Sequence, residues 1–167
     1  MRDEIVSELE NLLQQARSRI HHCVEQLSHE QLWWRPASGQ NSVGIVLRHV
    51  TGNLRQWAIA GFTTAEDTRD RDSEFANERQ PSATELLNDL DAVVAKVAAV
   101  LEAITTADLS AHRTIQGFDV SGLGALMHTI PHLVGHTHQI VALTRMQLKD
   151  EYRFHWDPQA PRDVVPL

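Results

Sequence analysis

Residues 132 to 140 read HLVGHTHQI, which places His132 and His136 four positions apart, with His128 four positions before them. Imidazole is a general base, a nucleophile and a ligand for divalent metals. Ten histidines occur in the chain, and His112, His128, His132, His136 and His138 all fall late in it. If this stretch is helical, residues four apart share a face, and an i, i+4 pair can close on one ion. The rise of 1.5 Å per residue separates His128 from His136 by about 12 Å. Two nitrogens on one zinc ion sit within about 4 Å of each other. All three of these histidines therefore cannot share an ion, and at most one i, i+4 pair can. His138 lies some 200° around the helix from His136 and points away.

A pair is incomplete as a metal site, and by spacing alone it is more often two surface histidines. A third ligand must come from another helix. His49, flanked by Val46, Val50 and Asn53 in a half-apolar context, is the natural candidate. His21, His22 and His29 lie near the end of the first helix, where they suit the helix C-terminus. Cys23 is the only cysteine, so neither an intrachain disulfide nor a cysteine-based zinc cluster can form. Leu133 follows His132, so the glutamate of a zincin HExxH motif is missing. SGLGAL at 121 to 126 is a lone GxG without a preceding strand and full glycine pattern, and is not a nucleotide site.

The elements that must position these groups follow from apolar periodicity. Ile5, Leu9, Leu12, Leu13, Ala16, Ile20, Cys23 and Leu27 keep three-and-four spacing and predict a helix from Asp3 to about Leu27. Pro36 and Gly39 end that run, and Asn41 or Ser42 can cap a second helix reaching about Phe62. Residues 63 to 81 are polar and charged, an ordered or semi-ordered crossover with Phe75 as its apolar anchor. A third helix runs from Ser82, with Glu85 as capping-box partner, to Ile104. Two short β-compatible runs follow, and then a fourth helix from Leu123 to about Lys149. Pro131 either bends that helix or begins a new one. The tail from 150 to 167 has no periodicity and is expected to pack on the bundle or a partner subunit through Phe154 and Trp156. The expected architecture is an all-α single domain over 1–167, a four-helix up-down bundle with a long crossover between helices two and three.

Composition narrows the partners. A formal net charge of −7 with scattered basic residues is the wrong footprint for nucleic acid. No apolar run reaches the roughly 20 residues of a membrane helix. An acidic N-terminus, MRDEIVSELENLL, lacks the features of an export signal, so the expected location is cytoplasmic. The apolar tail favours a homodimer.

The segment NSVGIVLRHVTGNLRQW, the following RDRDSEF and the later HTIPHLVGHTHQIVALTR resemble the DinB-like (YfiT-like) superfamily over nearly the whole chain, closest to an uncharacterised subfamily. In that family one histidine on helix two and an HxxxH pair on the last long helix bind a divalent metal. The resemblance places these ligands on His49, His132 and His136. The family's usual basic residue and glycine after the pair are replaced by Thr137 and His138, while Gln139 matches. Three neutral imidazoles leave such an ion its full charge and an open position, which suits catalysis. Zinc and nickel are the leading metals. Asn53, Gln56, Gln139 and His128 are candidates for supporting the ligands or binding substrate, without an identifiable general base. Arg69 and Arg71 could clamp an anionic substrate, although a solvated loop is the plainer expectation. Characterised relatives use low-molecular-weight thiols, so the resemblance implies a metal-dependent transferase or hydrolase on a small molecule, such as a thiol conjugate. The alternative is a non-catalytic metal-binding or stress-related dimeric module.

Overall fold

The computed structural model describes residues 2–76 and 79–156. Four long helices dominate it: α1 (Arg2–Val24), α3 (Val43–Leu54), α5 (Ala83–Ala103) and α7 (Gly122–Leu148). Short helices α2 (His29–Trp33), α4 (Arg71–Phe75) and α6 (Thr106–Ser110) fill the connections. The protein is all-α apart from one hairpin of β1 (His112–Ile115) and β2 (Phe118–Ser121), paired antiparallel. Its two-residue turn, Gln116–Gly117, has positive φ at both positions (51° and 80°), the geometry that twists a tight hairpin correctly.

Three of the long helices, α3, α5 and α7, start where a side chain satisfies a free backbone N–H group. Ser42 accepts from Ile45 N, Ser121 from Gly124 N, and Ser82 forms the predicted capping box with Glu85. One apolar stripe per helix enters the core: Leu9, Leu13 and Ile20 from α1, Leu47, Val50 and Leu54 from α3, Leu90, Val97 and Leu101 from α5, Leu126, Ile130 and Leu133 from α7. Leu12, on the predicted α1 stripe, sits at its margin and is 36% exposed. Pro131 is exposed inside one α7, so no new helix begins there.

Cross-helix pairs fix the directions. Arg2 meets the carbonyls of Glu102 and Ile104 while Arg17 meets Asp91, so α1 and α5 are antiparallel. Arg19 lies beside His138 and His22 beside Arg153, so α1 and α7 are parallel. His49 faces His132 and Asn53 faces Thr129, so α3 and α7 are antiparallel. The order is thus up, down, down, up. The crossover carries the chain back along the bundle, and α3 and α5 run parallel where simple alternation was expected.

The crossover is more ordered than its composition suggests. Arg48 of α3 donates to the carbonyls of Ser73, Ala76 and Arg79, and Asp70 caps α4 by accepting from Ser73 N. Phe75 packs on the core, as its apolar character predicted. In the tail, Tyr152 packs against the bundle, while Phe154 and Trp156 are 52% and 55% exposed in the single chain, so they do not anchor the tail on the chain's own bundle. Residues 157–167 of the tail lie outside the described residues. No described helix is long and apolar enough to cross a membrane.

Candidate metal centre

Antiparallel packing of α3 against α7 brings His49 opposite the pair His132 and His136. One ligand atom from each lies within 4.8 Å of both others. The closest approach is 3.3 Å, from His49 Nε2 to His132 Nε2. Nitrogens sharing one ion are at most about 4 Å apart, so the widest pair must close by under about 1 Å to hold zinc.

Two of the rings are oriented by protein groups. His49 Nδ1 is 3.0 Å from Glu74 Oε2, and His136 Nδ1 is 2.8 Å from Gln139 Oε1. An oxygen acceptor at each Nδ1 favours the tautomer with the proton there, which leaves both Nε2 lone pairs free for a metal. His132 is different. Its Nδ1 is buried without a hydrogen-bond partner, and its Nε2 meets another imidazole nitrogen. Whichever nitrogen carries its proton, the buried Nδ1 of this ring stays unsatisfied. Burial, followed by the charges of His136, His49, His128 and Arg69, lowers the His132 pKa to about 4, so the ring is neutral at pH 7. Burial also lowers His136, against the raising effect of its Gln139 bond. Neutral imidazoles with free nitrogens are the form that binds a cation.

Behind His49 stands a buried ion pair. Glu74 Oε1 accepts from Arg69 Nε at 2.7 Å and Oε2 from Arg69 Nη2 at 2.9 Å, and the two side chains are only 8% and 4% exposed. Burial pushes the Glu74 carboxyl up, but bonds from Arg69 and His49 together outweigh it, and the net shift is below the usual carboxylate value. Arg69 Nη2 also approaches His49 Nδ1 at 3.3 Å. A guanidinium only donates, so with the His49 proton directed at the carboxylate this is a contact rather than a second hydrogen bond. Arg69 is held in turn by Gln56 Oε1 at 2.9 Å, and Gln56 donates to Asp67 Oδ2 at 2.7 Å. The close fit depends on Gly52. A Cβ there would stand 2.0 Å from Glu74 Oε1.

The remaining candidates fall into place around this centre. Gln56 acts two steps behind His49, through Arg69, and sits in the π-helix Arg55–Ala60 that continues α3. Asn53 is buried and accepts from Thr129 Oγ1 at 2.7 Å, so it clamps α3 to α7 and touches none of the three histidines through a hydrogen bond. His128 packs against Trp57 in a tilted arrangement with ring centroids 4.1 Å apart, and stacks at 5.8 Å with His132, one turn away along α7. His138 is exposed and turned toward Arg19, as helical geometry required. Cys23, on the apolar face of α1, is buried, and burial pushes its thiol pKa up. Arg69 departs from both expectations: neither an anion clamp nor solvated, it is committed to Glu74. Glu74 itself carried no spacing signal, since it stands 25 residues from His49 in a run of charges.

A cavity of about 610 Å³ borders the other side of this pair, lined by Arg48, Gly52, Arg55, Asp67, Arg69 and Glu74 among others, and by none of the three histidines. This void therefore adjoins the supporting network of His49.

Solved structures share this fold. A conserved protein from Enterococcus faecalis superposes with a TM-score of 0.71 at 20% identity, covering 85% of this chain and 96% of that one. A DinB-like protein from Bacillus subtilis gives 0.67 at 18% identity, covering 90% and 99%, and a DinB-like protein from Bacillus cereus gives 0.64 at 20%, covering 83% and 91%. Among curated proteins, none matches the sequence. Residues 1–158 match the family described as protein of unknown function DUF1572. This chain belongs to the DUF1572 family, and its fold is DinB-like.

Proposed function

We propose that the protein binds one divalent metal ion through His49, His132 and His136 and uses it to transfer or hydrolyse a group on a small molecule. The observation that carries this reading is the convergence of three imidazoles from two helices, with a buried carboxylate holding the far nitrogen of one of them. An ion held by three neutral imidazoles supplies Lewis-acid charge and an open position for substrate. Imidazole ligands suit zinc and nickel. Glu74 keeps the His49 proton on Nδ1 and Gln139 does the same for His136. Burial keeps His132 uncharged down to a pKa of about 4. Phe75, 5.3 Å from the His49 ring, and His128 beside His132 wall the centre on two sides. The substrate class that suits the resemblance is a low-molecular-weight thiol conjugate.

The test is a panel of small thiols with electrophiles, together with simple esters and amides, assayed on metal-loaded protein. The reading expects turnover that is abolished by chelation and restored by metal. Silence across the panel with one ion bound per chain contradicts the catalytic part and leaves the binding part standing.

A further inference from the structure

The basic residues around the centre differ in what they are already doing. Arg69 is committed to Glu74 and Gln56. Arg48 spends its donors on backbone carbonyls of the crossover, and Arg55 is paired with Asp89. Arg71 is exposed, and among the described residues its guanidinium meets only the ring of Phe75, 5.3 Å from the centroid. That same ring lies 5.3 Å from the ring of His49. An uncommitted cation thus stands two ring-sized steps from a metal-ligating imidazole, with an apolar surface between them.

Charges of both signs lie near the centre, with Asp70 and Asp72 flanking Arg71 in the sequence. Glu74 is matched by Arg69, so the supporting pair is neutral as a unit. Three neutral imidazoles do not reduce the charge of a bound dication, and Arg71 adds one positive charge nearby. We infer that Arg71 is a substrate-recognising residue of this centre, and that the substrate is anionic: a carboxylate or similar group pairs with Arg71 while an apolar spacer lies on Phe75 and the reacting end reaches the metal. A guanidinium has the fork geometry that suits a carboxylate. The inference rests on the metal-binding reading and narrows its substrate class.

The probe is a pair of short hydroxamates that bind metal at one end, succinic monohydroxamate and its uncharged amide, titrated into cobalt(II)-loaded protein and followed by the cobalt visible absorption. Wild type is expected to bind the carboxylate form about threefold tighter, the advantage an exposed ion pair provides, and the advantage is expected to shrink with added salt. Arg71→Gln should bring the ratio to about one while leaving affinity for the amide form unchanged, and Arg71→Lys should restore part of it. Equal affinities in wild type, or a preference that survives in Arg71→Gln, overturns the inference. If wild type takes up no cobalt, the metal-binding reading itself fails and this inference fails with it. That outcome appears in the loading spectrum before any hydroxamate is added.

Discussion

Glu74 Oε2 and His49 Nδ1 stand 3.0 Å apart across the contact between α4 and α3, and the same carboxylate is gripped on both oxygens by Arg69. This pair makes the crossover part of the candidate metal centre. A carboxylate on the far nitrogen of a ligating imidazole fixes the ring and raises its basicity.

Removing that support has a defined cost. Glu74→Ala is expected to lower metal affinity by about 10–100-fold. It also leaves Arg69 buried without its partner, so stability should fall by about 3–5 kcal/mol. Metal titration and chemical denaturation of the same variant check the two effects separately. Unchanged affinity would mean that the pair serves only to hold the crossover down.

Gly52→Ala tests the same pair without touching a charge. The new Cβ would lie 2.0 Å from Glu74 Oε1, 3.0 Å from its Cδ and 3.3 Å from Arg69 Nε. The carboxylate must move, and breaking a buried fit of this kind costs about 1–3 kcal/mol. Thermal unfolding should register the loss, and weakened metal binding should accompany it. An alanine variant that matches wild type in both would show that Glu74 has room to shift without losing its grip on His49.

Acid sensitivity of the metal-free protein follows from the shifted groups. His132 is lowered from 6.5 to about 4, chiefly by burial, so between those values the unfolded chain binds the extra proton and the folded chain does not. Stability should therefore fall as pH drops from about 6.5 to about 4, with His136 and His128 acting in the same direction. Glu74 is lowered from its ordinary 4.5, so its contribution is present above that value and is lost as pH falls further through its native pKa. Denaturation midpoints measured from pH 7 to 4 should decline in wild type and decline less in His132→Ala. Parallel curves for the two proteins would remove His132 as a source of the acid sensitivity.

Asn53 separates clamping from ligand support. Its Oδ1 accepts the Thr129 hydroxyl in a fully buried bond between α3 and α7. Thr129→Val leaves that oxygen unsatisfied and should cost about 1–3 kcal/mol. Metal affinity, measured by competition with a chromogenic chelator, should stay within about twofold of wild type, because no hydrogen bond joins Asn53 to the three histidines. A larger loss would place Asn53 in the ligand support that its position in the sequence suggested.

The histidines were legible because helices have a fixed period. Four-residue spacing put His128, His132 and His136 along one face and an amphipathic stripe put His49 beside the core, and the family resemblance then pointed to His132 and His136 as the pair. Glu74 and Arg69 were not legible. Their meeting depends on the path of a crossover, and RDRDSEF looks like any solvated charged run until Arg48 and the Asp70 cap fold it onto α3. The same cause hid the short helices, whose stability comes from what they pack against more than from their own propensity. Helix direction was hidden too. Apolar stripes identify which faces are buried, but only the cross-helix contacts taken together, such as Arg2 with Ile104, Arg19 with His138 and His49 with His132, reveal that α3 and α5 run parallel.

The central claim is that His49, His132 and His136 hold one ion. It is tested most directly by elemental analysis of protein purified without a histidine tag and dialysed against metal-free buffer. The account predicts about one equivalent of a divalent metal per chain, lost in His49→Ala and in His136→Ala while both variants remain helical by circular dichroism. Wild-type protein that carries no metal and takes none up on addition of zinc or nickel would contradict it.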